Sequence, residues 1–269
     1  QSGTIFRLGP SIHARKGDLT ADIGIGVAID TGEDQTRWHF YPQAYLSYSL
    51  FDDLFTPYAG LTGDLQRNTF GSFAEENPYI HNSLGLINTS KDLELYAGIR
   101  GTIFDNLGFN VRVSAEDYDD FAFFVNDTLF SEENKFGVIY DDLRVLRIAG
   151  ELTYAYNDRL TLAGRLELRS NTANKLSRAF NLPGVRFTFD GRYDLDDKFI
   201  VKAQIFANGR RFGATMRPGV DDEVVAGSFY ERSLRGFVDG NVGIEYRYTK
   251  RISAFFDINN LTGGRYPRW

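Results

Sequence analysis

Residues 236–261 read GFVDGNVGIEYRYTKRISAFFDINNL, and apolar and polar side chains alternate along both halves of this stretch. In the second half Ile252, Phe256 and Ile258 share one parity, whereas Ser253 and Asp257 share the other. A period of two places successive side chains on opposite faces of a strand. The stretch therefore predicts a β-hairpin with one apolar face and one polar face.

The same alternation recurs along the chain in about twelve segments, most of them near the roughly 9–11 residues that a tilted strand needs to cross a bilayer. The clearest further apolar series are Ala21 to Ile29, Leu93 to Ile99, Leu107 to Val113, Leu160 to Leu168, Val185 to Tyr193 and Phe199 to Ala207.

Short and long connections alternate between these segments. The short turns contain Arg15–Asp18, Phe51–Asp53, Phe104–Asn106, Tyr156–Asp158, Leu195–Asp197 and Thr249–Lys250. The long, irregular stretches are Asp30–Thr36, Gln66–Ser90, Asp117–Asp142, Asn171–Pro183 and Gly209–Arg235. Short turns on one side and long loops on the other are typical of outer-membrane barrels, with the turns in the periplasm.

Aromatic residues of the apolar parity gather beside the short turns, where a barrel carries its interfacial ring. These are Tyr48, Phe55, Tyr154, Tyr156, Tyr193, Phe199, Tyr246 and Tyr248. The alternative is a large soluble all-β protein such as a double sandwich, which has no reason to alternate its connections six times or to place charges on the inner face of nearly every strand. The fold class predicted is an all-β, antiparallel transmembrane β-barrel in the bacterial outer membrane.

Composition narrows the function classes. The net charge of −6 argues against a nucleic-acid partner, and the lack of an apolar run of 18 residues excludes a helical membrane protein. No cysteine is present, which removes disulfides, thiolate metal sites and a cysteine nucleophile. No linker marks a boundary, so residues 1–269 are expected to form one domain.

The direction of the strands predicts that this domain is incomplete at both ends. The first of the twelve strands would run inwards and the twelfth outwards, which places Gln1 and Trp269 on the long-loop side. Bacterial barrels have both termini in the periplasm, so further strands are expected. Trp269 would then lead into a closing strand.

The end of the chain, from Ile252 to Trp269, resembles the penultimate strand of TonB-dependent receptor barrels, in which an apolar alternation runs into Asn-Asn-Leu and an aromatic residue follows. The stretch Asn77–Gly98 is similar to a second passage of that family. The resemblance implies an outer-membrane barrel that takes up a nutrient or chelate through a polar lumen. Neither a plug domain nor a TonB-contacting box is visible, and a plug-free barrel of Bacteroidetes type suits the length.

A second function remains open: a structural or assembly barrel that anchors lipoproteins or other outer-membrane partners without transport. The expected partners are outer-membrane lipids and lipopolysaccharide, together with a surface lipoprotein or another outer-membrane protein. An outer-membrane enzyme is a third and weaker alternative.

Charged residues of the polar parity predict a charged wall in the lumen. Its members are Arg147, Glu151, Arg165, Glu167, Arg169, Arg186, Asp190, Arg192, Lys198 and Lys202. Seven positive charges against three negative ones favour an anionic solute or an acidic partner surface. The alternative is a ladder in which Arg and Glu on neighbouring strands pair; partial pairing with Glu167 and Asp190 is expected.

Neither a metal site nor a catalytic site is predicted, and no cofactor is implied. Asp117, Asp119 and Asp120 have the oxygen ligands that Ca²⁺ prefers, but no EF-hand spacing is present. Ser11 and His13 share the inward parity and are the nearest candidates for catalysis. No nucleophile elbow, zinc-binding helix motif or phosphate-binding glycine loop accompanies them.

Overall fold

A computed structural model describes residues 3–31, 36–104, 106–127, 135–157, 159–217, 228–249 and 251–267. Some residues named above lie outside these ranges: Gln1, Asp105, Asp158, Lys250, Arg268 and Trp269. The strands are β1 Thr4–Leu8, β2 Ser11–Lys16, β3 Leu19–Thr31, β4 Thr36–Tyr48, β5 Thr56–Gln66, β6 Thr89–Ile103, β7 Leu107–Asp127, β8 Lys135–Tyr156, β9 Leu160–Ala173, β10 Val185–Leu195, β11 Phe199–Asn208, β12 Arg211–Met216, β13 Phe229–Leu234, β14 Phe237–Thr249 and β15 Ile252–Ile258. One helix, α1, spans Phe70–Glu76.

Twelve of these strands form a continuous antiparallel path in the order β1-β3-β4-β5-β6-β7-β8-β9-β10-β11-β14-β15. Strand β2 continues β1 beyond Gly9 and Pro10 and pairs with the same neighbour, β3. Hairpin β12–β13 stands off the path and meets β7 through one parallel bridge, Thr215 to Asn126. The sheet is not closed within the described residues. The predicted all-β antiparallel architecture is confirmed.

The two faces of the sheet differ as the alternation predicts. Leu95, Leu152 and Phe256 are 58%, 56% and 65% exposed, although each is large and apolar. Leu166 and Leu168 are also exposed, whereas the Arg169 side chain on the opposite face keeps only 23% of its surface. We call the exposed apolar side the outer face and the charged side the inner face.

The short-turn end is built from residues with left-handed backbone conformations. Phe51, Asp52 and Asp53 have φ of 54°, 54° and 67°, and Asp196 and Asp197 have 53° and 58°. Positive φ matches the right-handed twist of the flanking strands, and Asp and Asn tolerate it better than most residues. Exposed aromatic side chains stand beside these turns, including Tyr48, Tyr156 and Tyr248.

The opposite end is more regular than the sequence indicated. Residues 117–142 and 209–235 were expected to be irregular loops, but β7 continues to Asp127 and β8 begins at Lys135, while β12 and β13 form their own hairpin. This end also carries the short helix α1, Phe70–Glu76. Thr69 caps this helix, because its hydroxyl accepts from the Ser72 amide at 3.0 Å and the Ser72 hydroxyl accepts from the Thr69 amide at 3.0 Å.

These connections pack together above the sheet. We call segments 66–88, 118–127, 135–145, 174–183, 211–217 and 228–234 the cap. Its main apolar cluster buries Phe123, Val125, Leu143, Val145, Leu176, Phe180, Ala214 and Phe229. A second cluster joins Phe73 of α1 to Ile80 and Phe124. In the described part of the chain, no helix has the length and apolar character needed to cross a membrane.

Candidate functional site

Cross-strand register places the charged inner-face residues in rows. Arg147 of β8 lies opposite Ser114 of β7 on one side and Arg169 of β9 on the other. Two arginines directly opposite one another repel. Carboxylates on the diagonals must therefore compensate them, and Glu116 and Glu167 occupy those positions.

Arg147 is the centre of this wall and contacts three carboxylates. One guanidinium nitrogen lies 2.5 Å from Glu116 and 3.4 Å from Glu94, and the other lies 3.5 Å from Glu167. Glu94 and Glu116 are only 3% and 5% exposed. Buried carboxylates require such partners, because an uncompensated charge is costly away from water.

The two buried glutamates have further donors. Lys91 reaches Glu94 at 2.6 Å, and Arg112 also donates to it while its guanidinium lies 3.8 Å from the centre of the Tyr96 ring. For Glu116, Ser114 donates at 2.8 Å and Tyr118 at 2.7 Å.

A hydrogen-bonded ladder continues across the neighbouring strands. Arg165 bridges Glu151 and Asp190, both at 3.2 Å. Gln204 of β11 donates to Asp190 at 2.8 Å, and Asn241 of β14 donates to Gln204 at 3.1 Å. At the end of this row, the Asn260 backbone amide donates a hydrogen bond to the Asn241 side-chain oxygen at 3.2 Å. We call this row the amide ladder.

The remaining residues predicted for the wall differ in how tightly they are held. Arg169 donates to Glu167 at 2.6 Å, but Arg192 is 3.8 Å from Asp194 and Lys202 is 3.9 Å from Glu245. Lys198 is exposed in the turn before β11, with its amide bonded to the Leu195 carbonyl at 3.2 Å.

Sequence reasoning left out four carboxylates that lie on this wall: Glu94, Glu116, Asp194 and Glu245. Their parity was a usable signal, since each occupies a polar position of its strand. Including them together with the cations that pair with them, Lys91, Arg112 and Arg247, changes the count from seven to three into ten to seven.

A cavity of about 620 Å³ lies between the inner face and the cap. The cap side contributes Phe121, Phe124 and Phe180, and the sheet side contributes Phe206 and Phe237. Charged groups line it as well, namely Arg186, Arg211 and Glu76. The cavity therefore combines aromatic surface with cations, which suits a solute that has an apolar part and a negative charge.

Asp119 lies just beyond the apolar belt of the outer face, where exposed Asp117 and Arg144 pair at 3.3 Å. Desolvation and a hydrogen bond with Asp92 raise the pKa of the Asp119 carboxyl to about 6, and the charges of Asp142 and Asp120 act in the same direction.

Of the three residues considered for Ca²⁺, Asp117 pairs with Arg144. Among the described residues, no group of three or more His, Asp or Glu side chains is placed to hold a metal ion.

Ser11 and His13, the nearest candidates for catalysis in the sequence, have different cross-strand neighbours. His13 Nδ1 contacts the Asp22 carboxylate across β2 and β3, and both residues lie on the inner face. Ser11 lies opposite Gly24 in the same pair of strands.

The fold matches the barrels of TonB-dependent outer-membrane receptors. The pyoverdine outer membrane receptor FpvA from Pseudomonas aeruginosa aligns with a TM-score of 0.66 and 15% sequence identity, over 98% of this chain and 39% of the receptor. The copper transporter OprC aligns with a TM-score of 0.63 and 14% identity, over 98% of this chain and 42% of the transporter. The ferric-catecholate import receptor Fiu from E. coli gives 0.62 and 13%, over 99% of this chain and 42% of the receptor.

The chain thus spans about two fifths of the length of these structural neighbours. No protein-family model matches the sequence, and no curated protein matches it. The likeness is one of fold, carried by structure and not by sequence identity.

Proposed function

We propose that this chain forms part of the wall of a receptor-type barrel in the bacterial outer membrane, which takes up a nutrient or chelate through a polar lumen. One observation carries the proposal: a continuous exposed apolar outer face backs a charged inner face that leads to the cavity under the cap.

The outer face supports the membrane location. Leucine, isoleucine, valine and aromatic side chains are exposed along nearly every strand of the path. Soluble proteins rarely expose contiguous apolar patches of more than a few hundred Å². In a bilayer the same surface faces hydrocarbon, and hydrogen bonds between neighbouring strands pair backbone groups that hydrocarbon cannot. Outer-membrane lipids and lipopolysaccharide are therefore the first partners we propose.

The inner face supports passage of a polar solute. Arg186 lines the cavity, and Arg192 and Lys202 face the same interior with carboxylates no closer than 3.8 Å. Cations held so loosely remain able to attract an anion. The fold neighbours agree with this direction, since they are described as a pyoverdine receptor, a copper transporter and a ferric-catecholate import receptor.

A second function has its own support in the tight pairing around Arg147. In that part of the wall, ion pairs connect the charged side chains from Lys91 to Arg169. Such pairing is expected of a sealed barrel that carries no solute. A plug-free structural barrel of Bacteroidetes type, which anchors a surface lipoprotein or another outer-membrane protein, would have such a wall. One neighbour is described in a complex with pyocin S2, so this fold has bound a protein elsewhere.

Conductance in planar bilayers separates the two functions. The purified protein should show steady conductance with a reversal potential that favours anions. Replacing two inner-face cations, Arg169→Gln together with Arg192→Gln, should shift the reversal potential towards cations without unfolding the protein. Arg144→Gln is the matched control, because Arg144 lies on the outer face and is 85% exposed.

A sealed barrel that co-purifies with a stoichiometric partner would contradict transport and support the structural function. Conductance that keeps the same reversal potential in the double variant would show that the charged wall only holds the strands together.

A further inference from the structure

The segment after β15 folds back against the inner face of the sheet. Asn260 and Gly263 have φ of 58° and 61°, and the Gly263 amide bonds to the Asn260 carbonyl at 3.0 Å, which makes a tight turn. The Leu261 amide bonds to the Gly240 carbonyl of β14 at 3.0 Å. We call residues 260–267 the strap.

One carboxylate accepts three hydrogen bonds from the strap. Asp239 of β14 is 1% exposed and accepts from the Thr262 hydroxyl at 3.1 Å, the Thr262 amide at 3.3 Å and the Tyr266 hydroxyl at 2.9 Å. Its fourth donor is the neighbouring Gly240 amide at 2.7 Å. These donors are all uncharged, so the buried charge is stabilised by hydrogen bonds, of which three come from the strap itself.

The strap in turn shapes the cavity. The Tyr266 ring stacks on Phe237 with 3.8 Å between centroids and 4° between planes, and both rings line the cavity. Arg211 donates to the Pro267 carbonyl, and its guanidinium lies 5.6 Å from the centre of the Phe237 ring. Since Arg211 is itself 5% exposed and lines the cavity, the strap fixes both an aromatic wall and a cation.

We propose that Asp239 is a positioning residue for this cavity: it holds the strap on the inner face and so orients Tyr266 and Arg211 towards an anionic solute. The inference about the solute rests on the proposed function, whereas the attachment of the strap does not. Asp239 acts only through other groups and need not touch the solute.

The attachment can be measured directly because the chain contains no cysteine. A nitroxide on Arg265→Cys reports the mobility of the strap by continuous-wave EPR of the protein in liposomes. Adding Asp239→Ala should change the spectrum from restricted to mobile, and Asp239→Asn, which keeps one acceptor oxygen, should restore part of the restriction. Tyr266→Phe, which removes one hydroxyl and keeps the stack, should loosen the strap less than Asp239→Ala.

Glu245→Gln is the matched control, because Glu245 lies on the same strand and face but pairs with Arg247 at 2.8 Å and not with the strap. It should leave the spectrum unchanged. An unchanged spectrum in Asp239→Ala would overturn the proposal. If Asp239→Ala fails to insert, the comparison of Tyr266→Phe with Asp239→Asn decides, and restriction equal to wild type in both would overturn it as well.

The orienting role needs a second readout. Thr188 lines the cavity, and the Thr188→Cys variant is treated with an anionic and a cationic methanethiosulfonate reagent. In the wild-type background the anionic reagent should react several-fold faster. Asp239→Ala should lower this ratio towards one. Loss of the negative charge alone would raise the ratio, so a fall identifies displaced Arg211.

A raised or unchanged ratio together with a mobile strap would reduce Asp239 to a structural role and overturn the proposal. A wild-type ratio near one would contradict the anion preference of the proposed function, while the EPR result would stand by itself.

Discussion

The cap and the sheet beneath it are built for different surroundings. In the cap, Phe123 and Phe180 are each 1% exposed and belong to an apolar core, as in a water-soluble protein. In the sheet the order is reversed, with Leu152 and Phe256 exposed and Glu94 buried. The same chain thus has a cap with a buried apolar core and a sheet whose apolar residues are exposed. The content of apolar residues alone does not distinguish the two regions.

The largest expected effect concerns the apolar core of the cap. Phe180→Ala should destabilise the cap by about 3–5 kcal/mol, because the side chain is fully buried and contacts Phe229 with ring centroids 5.6 Å apart. Hydrogen exchange of cap amides measures the change. Leu152→Ala, equally apolar but exposed on the outer face, is the control and should leave cap exchange unaltered; equal losses in both would remove the distinction between the two regions.

The stability of the sheet should be most sensitive to a charge placed on its outer face. Leu166→Arg should cost about 2–4 kcal/mol if the residue lies at the bilayer midplane, since a guanidinium there meets hydrocarbon. Unfolding in lipid vesicles with a chemical denaturant measures this. Tyr248→Arg, beside a short turn, should cost about 0–1 kcal/mol. A mid-strand cost that did not exceed the interfacial one would contradict a lipid-facing outer face.

On the inner face, Arg147→Met should destabilise the sheet by about 2–3 kcal/mol, because it leaves Glu94 and Glu116 without their shared cation. The value lies below the usual range for a broken buried pair because the Arg147 side chain keeps 26% of its exposure. Arg192→Met, whose carboxylate is 3.8 Å away, should cost much less. Denaturant midpoints of the two variants in the same vesicles provide the comparison.

The smallest effect is a pH dependence where cap and sheet meet. Because the pKa of Asp119 is raised to about 6 from 3.8, the folded state favours the protonated carboxyl. Its stabilisation is fully present below about pH 3.8 and is lost as the pH rises through about 6. The effect should stay below about 1 kcal/mol, since Asp119 is exposed. Hydrogen exchange of residues near Asp119 between pH 4 and 7 should show it, and Asp119→Asn should abolish it; the same pH slope in the variant would assign it to another group.

Alternation predicted the strands well because the period of two is a local property. Leu160 to Leu168 needed no knowledge of their neighbours to be placed on one face. The cap was missed, since strand extension to Asp127 and helix α1 depend on contacts between distant connections. The register of the strands could not be predicted either. The carboxylates that Arg147 contacts depend on how three strands align, and the sequence of a single strand does not determine that alignment.

The amide ladder has a mechanical consequence. Tilted strands in a curved sheet can slide along one another, and a slip of two residues would preserve both faces. Asp190, Gln204 and Asn241 link three adjacent strands at one height, so such a slip would break both side-chain links in this row together. The amide ladder therefore fixes the register of these three strands and resists shear between them, which the alternation of apolar and polar residues does not do by itself.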